Sequence, residues 1–138
     1  MLAYTGDPLP ADLYMVGTAV AELQHSCDNP NHDVFVRISE VDAKGRSRNV
    51  TDAFVRRTGE SGLIRIEFDA VAHRFAAGSR IRLLVAGGSH PRFARNLGTG
   101  EPPISGCRLL RATHTVHHGQ NGVSRLVLPA GPRPPSAD

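Results

Sequence analysis

From Leu63 to Phe68 the chain alternates Ile64, Ile66 and Phe68 with Arg65 and Glu67, the one-sided pattern of a half-buried β-strand. Arg80 to Val85 repeats it after a turn around Gly78, with Ile81, Leu83 and Val85 set against Arg80 and Arg82. Asp33 to Val41 places Val34, Val36 and Ile38 on one face and Phe35 and Val41 beside Arg37 and Ser39 on the other, so both faces should be partly covered. Ala19 to His25 alternates Ala19, Ala21 and Leu23 with Glu22 and Gln24, closed by turn-forming residues from Cys27 to His32. Asp42 to Gly45 makes a hairpin turn, Ser47 to Thr51 returns as a short polar strand, and Phe54 to Arg57 follows. Leu109 to His117 and Ser124 to Leu128 complete the set, joined through Gly119 to Gly122.

No window sustains a helical period with caps, so helices should be few and short. About eight short strands divided by Gly, Asp, Asn and Pro turns predict an all-β fold, an antiparallel two-sheet sandwich of jelly-roll type. Residues 1–12 read as a linker-like lead-in, residues 13–129 as the sandwich, and the Pro-rich residues 130–138 as a flexible tail.

At 138 residues the chain fits one domain with its own core, and 40% hydrophobic and 21% charged residues are globular values. The net charge of +3 comes from 15 Arg and one Lys against 13 acids, and the arginines are scattered along strands. Nucleic-acid binding is disfavoured, since it needs a clustered basic face and stacking aromatics, and Trp is absent. No apolar run reaches the ~20 residues of a membrane-spanning helix and the N-terminus has no signal-peptide pattern, so the expectation is a cytoplasmic protein without membrane contact.

Candidate chemistry is sparse. A nucleophile elbow needs Gly-x-Ser-x-Gly, because its Ser sits on a strained strand-to-helix turn. The nearest imitation, Gly87-Gly88-Ser89-His90-Pro91, ends in Pro with no helix to follow, so Ser89 reads as a turn residue bonding its own backbone. His25, Cys27 and His32 gather near one turn and His114, His117 and His118 along a late strand. On a strand His114 and His118 share a face while His117 points away, which offers two ligands rather than three, so no metal site is expected. Cys27 and Cys107 match no metal or redox spacing, leaving free thiols or a disulfide between distant strands. Tyr4 and Tyr14 are the amphipathic aromatics available to stack a sugar. Pro91, Arg92, Phe93, Arg95 and Asn96 form the most interface-like group, since Arg can grip carbonyls or carboxylates while Phe93 fills a pocket. The competing reading is that they close one end of the sandwich.

Several segments, in order, resemble the C-terminal β-domain of the X-Pro dipeptidyl-peptidase and cocaine-esterase group of serine hydrolases. They are Tyr4 to Leu9, Val16 to Ala19, the stretch Asp33 to Arg46 with its strand, acidic turn and Gly45-Arg46, Asn49 to Asp52, His73 to Arg82, Pro91 to Asn96, Thr115 to His118 and Ser124 to Pro129. The last two are similar to a closing hairpin. Ala94 stands where the group usually has an acid and Ser79 where it usually has His, and residues 98–108 look idiosyncratic.

The resemblance implies a sandwich similar to galactose-binding domains, and a parent hydrolase made of an α/β core with a Ser-His-Asp triad, a helical cap and this domain. The core and cap are not in this chain. It implies no cofactor, no catalytic residue here, and a partner in the parent's catalytic domain, with homo-oligomerisation as a further role. The expected function is a non-catalytic accessory domain, inactive alone, whose Arg92 and Arg95 side face the catalytic domain. The alternative is an independent carbohydrate- or protein-binding module.

Overall fold

The computed structural model describes residues 2–27, 31–58, 62–87, 114–117 and 124–131. Every element among them is a β-strand: β1 (Leu2–Thr5), β2 (Leu13–Gly17), β3 (Val20–Cys27), β4 (Asn31–Val41), β5 (Ser47–Thr58), β6 (Gly62–Glu67), β7 (Val71–Phe75), β8 (Arg80–Ala86), β9 (His114–His117), β10 (Arg125–Val127) and β11 (Ala130–Gly131). All pairings are antiparallel.

One sheet runs β1-β8-β4-β5. Its centre is β4, whose inward stripe of Val34, Val36 and Ile38 is fully buried, as alternation demands. His32 opens that stripe and Glu40 ends it, so polar groups close both ends of an apolar run. The other face of β4 is covered too: Phe35, Ser39 and Val41 are all buried. Phe35 lies opposite Phe54, between the ion pairs Arg56–Asp33 and Arg37–Asp52, at 2.9 and 3.1 Å. Each arginine also rides over a ring, Arg37 over Phe35 at 5.1 Å and Arg56 over Phe54 at 5.6 Å, which shields the aromatics from water.

The facing layer consists of β3 between β6 and β10, and β2 between β7 and β11. These are halves of the same three strands. β2 runs into β3 at Gly17 to Ala19, β6 into β7 at Phe68 to Ala70, and β10 into β11 at Leu128 and Pro129, so one crease crosses the whole layer. Backbone bonds Phe68 N–H to Ala19 C=O (2.9 Å) and Val16 N–H to Pro129 C=O (3.2 Å) hold it. Gly17 has φ of +118°, a conformation that L residues rarely adopt, which is why glycine stands at the bend. Met15, Leu23, Ile38, Ile64 and Phe75 join both layers in one core, each such buried side chain worth about 1.5–3 kcal/mol of burial. The sandwich is therefore as expected. The jelly-roll path depends on the passage from β8 to β9, which runs through residues outside those described.

Five expectations change. Ala130–Gly131, read as the start of the Pro-rich tail, pairs with Met15 and Tyr14 as β11. Leu2–Thr5, taken as lead-in, is an edge strand on β8. The lead-in continues pinned: Leu9 N–H donates to Ser79 C=O, Gly78 N–H to Leu9 C=O and Ala77 N–H to Asp12 Oδ1, all at 2.8 Å. Ser47 to Thr51 and Phe54 to Arg57 are one strand, β5, running along all of β4 with a bulge at Val50 where the register slips between Ile38 and Ser39. Val71–Phe75, not expected as an element, is a strand because the crease returns β6 into a second pairing with β2. Finally, among the described residues β9 and β10 do not pair with each other as a hairpin would. Both lie along the same edge of β3, His117 opposite Gln24 and Arg125 opposite Glu22, with Ser124 Oγ accepting from Gln24 N–H at 3.0 Å.

Candidate functional site

Two features outside the regular packing could carry function. The first is a cleft of about 400 Å³ on the flank where the β1 edge of one layer meets the β9 and β10 edge of the other. Leu23, Leu83, Val116 and Leu126 form its apolar walls, with Tyr4, Gly6 and Ser124 at its border. It lies where the edge changes strand, β9 ending opposite Gln24 and β10 starting opposite Glu22, so that no ladder pair to Leu23 is present on that side among the described residues. On the opposite flank the layers are tied instead, by the Thr51 hydroxyl donating to Asp69 C=O at 3.0 Å.

The second is a polar cluster at the creased end. Glu40 Oε1 meets His73 Nε2 at 2.8 Å, and Glu40 Oε2 accepts from Ala76 N–H and from the Ser79 hydroxyl, each at 2.8 Å. Burial pushes the Glu40 carboxyl up, but the hydrogen bonds from Ala76, Ser79 and His73, with the charge of a protonated His73, outweigh it and hold the group below its ordinary value. A serine, a histidine and an acid thus meet, in the wrong order for nucleophilic catalysis. An imidazole must take the serine proton while the acid orients the imidazole. Here the carboxylate lies between the two and Ser79 also reaches Ala76 C=O at 2.6 Å, so the cluster fastens the β7–β8 turn to β4.

The other sequence candidates disperse. Ser89, Cys107, His118 and the interface group Pro91, Arg92, Phe93, Arg95 and Asn96 lie outside the described residues. His25 and His32 meet across the sandwich with ring centroids 5.1 Å apart, each closing the inward stripe of its strand. No three His, Cys, Asp or Glu side chains converge into a metal-binding group among the described residues. Tyr4 borders the cleft, whereas Tyr14 lies opposite Arg74 in the creased layer. The cleft had no sequence signal, because its walls are ordinary core positions of three separate strand pairs.

Residues 1–127 match the model of the X-Pro dipeptidyl-peptidase C-terminal non-catalytic domain. The chain belongs to this family. Among curated proteins it is 26% identical to a cocaine esterase of Rhodococcus sp. (strain MB1 Bresler), over 94% of this chain and 25% of that protein. Among solved structures it is similar to an α-amino acid ester hydrolase, with a TM-score of 0.85 at 20% identity. It is also similar to an aminopeptidase from a marine sediment Thaumarchaeota archaeon, with a TM-score of 0.80 at 21% identity. Each likeness covers 94% of this chain and 25% of the structure compared, so the chain spans about a quarter of the length of its relatives. The family domain takes in β1, which makes the pinned N-terminal segment part of the fold.

Proposed function

We propose that this chain serves as the non-catalytic β-sandwich domain of an X-Pro dipeptidyl-peptidase or acyl-esterase type α/β-hydrolase, packing against a catalytic domain and supporting its active site or its oligomerisation. The observation that carries this is the family match across residues 1–127, together with relatives four times as long whose names are those of an esterase, an ester hydrolase and an aminopeptidase. The arrangement of Glu40, His73 and Ser79 supports it from the chemical side, because their contacts consume the serine hydroxyl in structure.

The purified chain is expected to hydrolyse neither p-nitrophenyl esters nor X-Pro anilides above background. Turnover that a serine-directed reagent abolishes would overturn the non-catalytic role. Reading the gene upstream gives the second test: an in-frame Gly-x-Ser-x-Gly segment is expected, and an independent promoter with a start codon at Met1 would favour a free-standing binding module.

A further inference from the structure

We infer that the flank cleft between β1 and β10 is the seat into which the upstream catalytic domain inserts an apolar side chain or loop tip; this rests on the function proposed above. Three observations converge on that flank. The cleft is concave and apolar, and its volume of about 400 Å³ exceeds what the ordinary packing defects of a core leave. Its β1 side carries an exposed apolar side chain, Leu2, at 41% and on the same strand face as the cleft-lining Tyr4. The chain also enters the fold here. β1 is the first strand and the edge of its sheet, so a domain joined ahead of Leu2 begins beside this flank. The pinned segment from Gly6 to Asp12 fixes that geometry, with Gly6 N–H donating to Ile81 C=O at 3.0 Å.

The occupant is apolar because the polar groups at the border already have roles. Thr5 Oγ1 accepts from Arg82 Nε at 2.9 Å, Ser124 Oγ accepts from Gln24 N–H, and Arg125 lies 3.4 Å from Glu22. A charged or strongly polar group entering the cleft would lose water without gaining these partners. Gly6 at the mouth leaves room, since a Cβ there would meet nothing nearer than Ile81 O at 3.7 Å and its φ is outside the left-handed region.

The test uses the whole polypeptide with a protease site inserted ahead of Met1. After cleavage, size-exclusion chromatography and a titration read whether the two parts stay together. Gly6→Trp, which plugs the mouth without backbone strain, and Leu2→Asp, on the exposed β1 side, should each weaken association at least about 30-fold, the scale of losing a central apolar anchor. Leu63→Asp, exposed on the far flank, should change it little. Melting of the separated variants is expected to match that of the unmodified chain. If the unmodified parts separate, the packing role itself fails; if they stay together and both variants do too, the seat lies elsewhere. Displacement by Gly6→Trp of an anilinonaphthalene dye from the isolated chain, with domain association intact, would make the cleft a small-molecule site and overturn the inference.

Discussion

Glu40 and His73 meet at 2.8 Å although 33 residues separate them, and through Glu40 the β7–β8 turn, the N-terminal segment and the centre of the first sheet are joined. The second carboxylate oxygen holds Ala76 N–H and the Ser79 hydroxyl, while the backbone of Ser79 and Gly78 holds Leu9. Glu40→Gln keeps the shape but offers an amide donor where donors already converge. It should destabilise the chain by about 2 kcal/mol, the scale of lost hydrogen bonds to a charged group, read as a lower urea midpoint at unchanged slope.

The lowered pKa of Glu40 gives stability a pH dependence of fixed sign. The unfolded chain takes up the proton near the ordinary value of 4.5, and the folded chain resists until lower pH. The contribution is therefore complete above about 4.5 and is lost as pH falls below it through the folded value. Asp42 is also lowered, mainly by the backbone hydrogen bond from Arg46, and adds to the same slope from an exposed position. Urea midpoints from pH 6 to 3 should fall less steeply in Glu40→Gln than in the unmodified chain. An identical slope would assign the acid sensitivity to other carboxylates.

At the crease, Gly17→Ala should cost about 1–3 kcal/mol. A Cβ there would make only ordinary contact with the Pro129 side chain at 3.6 Å, so the cost comes from φ of +118° rather than from crowding. Gly6→Ala, free of both constraints, should be close to neutral in the same thermal melts.

Asp33 is buried and receives two hydrogen bonds from Arg56, at 2.9 and 3.1 Å. Arg56→Met leaves that carboxylate without its guanidinium and is expected to cost about 2–4 kcal/mol. Asp33→Asn added to it should recover part of the loss, because the remaining polar group is neutral. A double-mutant cycle by urea denaturation gives the coupling, and additive losses would show that the pair contributes only packing.

Much of the architecture is legible in the alternation of side chains. Val34, Val36 and Ile38, or Ile64, Ile66 and Phe68, read as inward faces before any partner is known, because a strand repeats every second residue. The Asp42 to Gly45 turn is equally local: Asp42 Oδ1 accepts from the Lys44 and Arg46 N–H groups and Gly45 supplies φ of +82°. The edge strand β1 was hidden because Leu2–Thr5 is short and half exposed, so its pairing with β8 rather than its own pattern makes it a strand.

The sequence by itself determined the central strands, their inward faces and, through an ordered set of segments, the family. Tertiary structure decided which strands lie side by side, that one layer is creased, and that β9 and β10 share an edge of β3 and open a cleft over Leu23. It also brought Glu40, His73 and Ser79 together. The period of a strand fixes which face a residue takes but not its neighbour, and neighbours set by pairings between residues 33 to 39 positions apart carry no local signature.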